Sequence, residues 1–138
     1  MDEIIGFEAL YKSALKCKNG VLWKDSVAHY ILNIIDETIK LEDQLKNGEY
    51  HSRPLKPFTV NSNGKIRIVM GVAFRDRVYQ RSLNDNAIYP AMTKSFIYDN
   101  GACQKNKGTN FSRERLVCFF QKIYRKYGTN GYVLQCDI

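Results

Sequence analysis

Arg53-Pro54-Leu55-Lys56-Pro57 divides the chain more firmly than any other segment. Each proline lacks an N–H and forces its predecessor toward extended backbone, so no helix can run through it. Upstream, Phe7, Leu10, Tyr11, Ala14 and Leu15 fall on one helical face, which Asn19-Gly20 ends. Val27, Tyr30, Ile31, Ile34, Ile35, Thr38, Leu41 and Leu45 then recur at spacings of three and four. This spacing predicts one longer helix, capped by Asp25 or Ser26 and closed by Asn47-Gly48.

Beyond the prolines the pattern changes. Phe58 to Val60 and Ile66 to Met70 are β-prone, and Asn61-Ser62-Asn63-Gly64 supplies the positive φ angles of a tight turn, so a hairpin is expected. Gly71 breaks the second strand, and Ala73 to Ile88 reads as a helix with Val78, Leu83, Ala87 and Tyr79 inward, stopped by Pro90. Asp99 to Asn110 is a polar loop carrying Lys105 and Lys107. A helix with the stripe Leu116, Phe120, Ile123, Tyr124 and Tyr127 follows, and Tyr132 to Ile138 reads as a final strand closing on Asp137. The fold class is therefore α+β, with helices flanking a small antiparallel β hairpin or sheet.

Charge follows the same division. Residues 1–50 hold six Lys against nine Asp and Glu, a net of −3, whereas residues 51–138 hold fifteen Lys and Arg against five acids, a net of +10. The second part is suited to a polyanion, and its interleaved Tyr and Phe favour nucleic acid. No apolar run reaches the ~18 residues of a membrane span, and acids occupy the place of a signal peptide's basic region, so a cytoplasmic location without membrane contact is expected. Cys17, Cys103, Cys118 and Cys136 lack zinc-ligand spacing and read as structural thiols.

Chemistry concentrates at Gly64-Lys65-Ile66-Arg67 and Arg75-Asp76-Arg77, followed by Gln80-Arg81. Strand alternation sets Lys65 and Arg67 on one face, where a guanidinium fork and an ammonium could grip a triphosphate. A solvated hairpin accounts for the same residues. Asp76 near a helix start reads as a structural acid paired with a neighbouring arginine. Asp137 alone is a poor magnesium site, because Mg²⁺ is held by carboxylates together with phosphates and water.

The order of these motifs resembles the N-terminal part of a reverse transcriptase of the bacterial, group II intron-like kind, across most of the chain. Gly64-Lys65-Ile66-Arg67 with Asp76, Arg77 and Gln80 resembles the first fingers motif, and Phe96-Ile97-Tyr98-Asp99 leading to Gly101 through Thr109 resembles the second. Tyr132 to Ile138 resembles the palm strand that carries the first catalytic aspartate. Gly71-Val72-Ala73 lacks the proline usual in intron enzymes, and Cys103-Gln104 stands where they usually place an arginine. The resemblance therefore points to a diversity-generating, retron-type or phage-defence relative.

It implies an RNA-directed DNA polymerase, a nucleotidyltransferase whose partners are an RNA template, a DNA primer and an incoming dNTP. Asp137 would be the catalytic ligand of Mg²⁺, aided by the Ile138 carbonyl. Lys65 and Arg67 would bind the dNTP, and Arg75, Arg77, Gln80, Gln104, Lys105 and Lys107 would lie along the nucleic acid. It divides the chain into an acidic helical extension at 1–50, a fingers subdomain at 51–131 and the first palm strand at 132–138. A chain ending there is expected to be inactive alone, to lack bound Mg²⁺ and to self-associate through an exposed palm edge. The competing expectation is a non-catalytic basic RNA-binding module, which needs no Asp137.

Overall fold

A computed structural model describes residues 2–136. These form two compact units, Met1–Ala91 and Met92–Ile138, a division that falls inside the segment expected as fingers. The fold is a small α+β arrangement, with helices flanking a two-stranded antiparallel sheet. No helix among the described residues is long and apolar enough to cross a membrane.

The first unit contains α1 (Asp2–Ile5), α2 (Phe7–Cys17), α3 (Asp25–Leu32), α4 (Ile34–Lys46), β1 (Lys56–Ser62), β2 (Lys65–Gly71) and α5 (Phe74–Leu83). Its core takes Leu10 and Ala14 from α2, Val27 and Tyr30 from α3, Leu41 from α4, and Phe74 and Val78 from α5, each pair lying about one helical turn apart. Full burial of each Leu or Val side chain contributes about 1.5–3 kcal/mol. Ser82 ties α5 to the N-terminus by donating to the Ile4 carbonyl at 2.5 Å.

The long second helix of the sequence reading is two helices. Both the backbone N–H and the side-chain amide of Asn33 donate to the His29 carbonyl, ending α3, and Asn33 at φ −110°, ψ 32° restarts the chain as α4. The bend keeps Ile31 and Ile34 against the core but leaves Ile35 mostly exposed. The expected cap is also displaced. Extended Lys24 precedes α3 without a side-chain capping bond, and Asp25 is already the first helical residue.

The hairpin forms as expected. Asn63 (φ 53°) and Gly64 (φ 76°) make a two-residue turn whose twist matches the flanking strands. The register pairs Ser62 with Lys65, Val60 with Arg67, Phe58 with Val69 and Lys56 with Gly71. Every hairpin residue except Gly71 is exposed.

Pro90 does not stop the next helix. After α5 the backbone widens into a π-helical turn, Asn84–Ile88, in which the Tyr89 N–H reaches the Asn84 carbonyl, and α6 (Tyr89–Thr93) carries Pro90 inside it. A proline removes one ladder bond and crowds the turn before it, and a π-turn is one backbone adjustment that accommodates such a break.

In the second unit, α7 (Thr109–Tyr127) matches the expected helix, yet none of its residues is buried, so the predicted stripe is not a core. The expected final strand is not formed over residues 132–136, which have no regular structure. A strand requires a neighbour to share its ladder, and the described sheet contains only β1 and β2.

Candidate functional site

Lys65 and Arg67 project from the outer half of β2 on one face, which also carries Phe58, Val60 and Val69. Both cations are exposed, and neither forms an ion pair among the described residues. The pair is therefore not neutralised by the acidic helices, the arrangement that would have removed it as a phosphate grip. A guanidinium and an ammonium two residues apart on a strand lie about 7 Å from each other along the backbone, within reach of successive phosphates of one triphosphate.

The hairpin is anchored by a side chain whose role the sequence reading placed differently. Asp76 is buried but pairs with no arginine side chain among the described residues; its carboxylate accepts from the Tyr50 hydroxyl at 2.8 Å and from the Arg53 backbone N–H at 2.8 Å. Burial near the chain leading into β1 lets one carboxylate fix both ends of residues 50–53. Burial, then the bond to Asp76, pushes the Tyr50 phenol up to about 12. The ring of Tyr50 also meets that of Tyr79 edge-on at 5.1 Å. Tyr50 was missed because a lone tyrosine between the helix-ending Gly48 and a proline pair carries no periodic signal.

The other cations of α5 differ in availability. Arg75 donates to the Gln44 side chain and sits 5.5 Å from the centre of the Tyr50 ring, so it is committed to the fold. Arg77 and Gln80 are exposed. Asp85, in the π-turn, accepts from Lys16 and Arg81 at 2.8 and 2.9 Å. Its partial burial raises the carboxyl's pKa, but those two cations outweigh this and hold it below the ordinary range.

In the second unit the 99–108 loop folds against the start of α7. Ala102 N–H donates to Asn100 Oδ1, the Gln104 amide donates to the Asn100 carbonyl at 2.7 Å, and Arg115 pairs with Asp99. Gly101 permits the approach, since a Cβ there would lie 2.1 Å from Ser112 Oγ. Lys107 donates to the Tyr98 carbonyl at 2.6 Å and packs on the rings of Tyr98 and Phe111 at 4.8 and 5.0 Å. Gln104 and Lys107 therefore brace this loop, while Lys105 is exposed beside them.

Asp137 and Ile138 lie outside the described residues. Among those described, no group of three or more His, Cys, Asp or Glu side chains could hold a metal ion. Asp76, Asp85 and Asp99 are each occupied by internal donors. The described residues therefore do not fit the Mg²⁺ that the resemblance implies. All four cysteines are unpaired thiols, with burial raising the pKa of Cys17.

No family model matches the chain, and no curated protein matches it significantly.

Proposed function

We propose that the chain is the fingers portion of a group II-like reverse transcriptase, in which Lys65 and Arg67 hold the triphosphate of an incoming dNTP. The observation that carries this reading is the pairing of two exposed, unneutralised cations on one face of a hairpin that is rigidly anchored at its base. An anchored base with an open tip positions charge without burying it. In phosphoryl transfer the protein contributes mainly such placement. RNA template and DNA primer would pass beside the exposed Arg77 and Gln80, with Arg75 bracing the anchor rather than touching the strand.

A second reading, a non-catalytic RNA-binding module, is favoured by α7, whose exposed Tyr124 and Tyr127 flank Arg125 and Lys126. Titration of a primed RNA–DNA duplex and then a dNTP separates the two. On the polymerase reading, Lys65→Ala/Arg67→Ala weakens dNTP binding about tenfold or more, as expected for loss of charge-assisted contacts. Unchanged dNTP affinity in that variant, with RNA binding that falls steeply with salt, would establish the module instead.

A further inference from the structure

The hairpin's base and the helices below it enclose a cleft that the reading above does not use. It measures about 800 Å³, within the ~300–1,000 Å³ typical of small-molecule sites. Its wall carries Lys24, Arg53, Lys56, Arg75 and Arg77 against the single carboxylate of Glu37. Arg75 is spent on Gln44 and Tyr50, but Arg53, Lys56 and Arg77 form no ion pair among the described residues.

Two helix starts also open onto this cleft. Lys24 and Ala73, which precede α3 and α5, both have extended backbone and provide no side-chain cap, and both line the cavity, Lys24 together with Ser26 and Val27, Ala73 together with Phe74 and Arg75. Uncapped helix starts leave N–H groups without partners and carry partial positive charge, and both features favour an anion. Asp25 in the first turn of α3 is exposed and does not line the cleft.

Tyr30 lines the cleft at 4% exposure, and its hydroxyl has no hydrogen-bond partner among the described residues. The hydroxyl lies beside that of Thr38, which does not line the cleft. Apart from the polar Ser26 and His29 the remaining wall is mainly apolar, with Phe58 and Met70 about half exposed and Phe74 packed edge-on to Tyr30.

We propose that this cleft binds a small phosphorylated ligand with a flat apolar body, the chemistry of a free mononucleotide. The cations and helix starts take the phosphate, while Phe58, Met70 and Phe74 cover the ring system that a bare inorganic anion would lack. Lys65 and Arg67 lie outside the cleft, so this site goes beyond the dNTP grip and can fail independently of it.

Calorimetric titration of the whole chain with AMP, adenosine, inorganic phosphate and a ten-nucleotide RNA tests the assignment. Saturable AMP binding is expected, with adenosine and phosphate each about tenfold weaker or more. Arg53→Gln/Arg77→Gln should weaken AMP about tenfold, and because both side chains are exposed its amide spectrum should remain that of the folded chain. Absence of AMP binding, equal affinity in the folded double variant, or phosphate binding as tightly as AMP would each overturn the proposal. RNA binding displaced by neither AMP nor these substitutions, with AMP itself inert, would also overturn it.

Discussion

Leu41 and Leu116 occupy equivalent positions, each an apolar residue on the inner stripe of an amphipathic helix, yet Leu41 is 0% exposed and Leu116 is 47% exposed. The stripe of α4 packs against α2 and α3, whereas among the described residues no side chain of α7 is buried. Amphipathicity thus states that a helix has a face to bury, and only the neighbouring elements decide whether it is buried. The hairpin teaches the same contrast on a smaller scale. Its base is pinned by Asp76, while Ile66 and Ile68 toward its tip are 76% and 75% exposed.

The contrast can be broken by substitution. Leu41→Ala should cost about 3 kcal/mol in denaturant unfolding, the usual range for emptying a buried leucine site. Leu116→Ala should cost less than about 1 kcal/mol by the same measurement, and equal costs would show that α7 is covered as fully as α4. Asp76→Ala should cost about 2–3 kcal/mol, because the Tyr50 hydroxyl and the Arg53 N–H lose their shared acceptor in a buried place. Thermal melts with hydrogen exchange should then show faster exchange at residues 50–60 than at α2.

Alkaline pH examines the same anchor. Tyr50 has its pKa raised from 10.0 to about 12 in the folded chain, so the folded state holds a proton that the unfolded chain gives up. Its contribution is complete below pH 10 and is lost as pH rises toward 12. Tyr50→Phe should therefore flatten part of the alkaline decline in stability, and an unchanged decline would contradict the anchor. The smallest effect is expected at the tip, where Ile66→Ser/Ile68→Ser should shift stability by no more than about 0.5 kcal/mol per site.

Much of this arrangement was legible in the sequence because it depends on neighbours in the chain. The proline pair, the Asn63-Gly64 turn and the spacing of Leu10, Ala14, Leu41 and Val78 act locally, and the structure follows them. The break at Asn33 was hidden because the apolar spacing runs through it, and only the side-chain amide's reach back to His29 ends the helix. Pro90 misled because the π-turn before it makes room that local rules do not anticipate. The strand expected at 132–138 depends on a partner, which no run of residues can reveal by itself. Lys65 and Arg67 were readable from strand alternation, whereas the Tyr50–Asp76 clamp and the cleft beside Tyr30 join residues from distant parts of the sequence.

The central claim is that an anchored base presents an open cationic tip to phosphate. Amide spectra of the chain titrated with a dNTP address it most directly. Saturable shifts at residues 62–68 that vanish in Lys65→Ala/Arg67→Ala, with the Leu10 and Leu41 amides silent, are the predicted result. Shifts that persist in that variant, or an unresponsive hairpin tip at saturating dNTP, would contradict it.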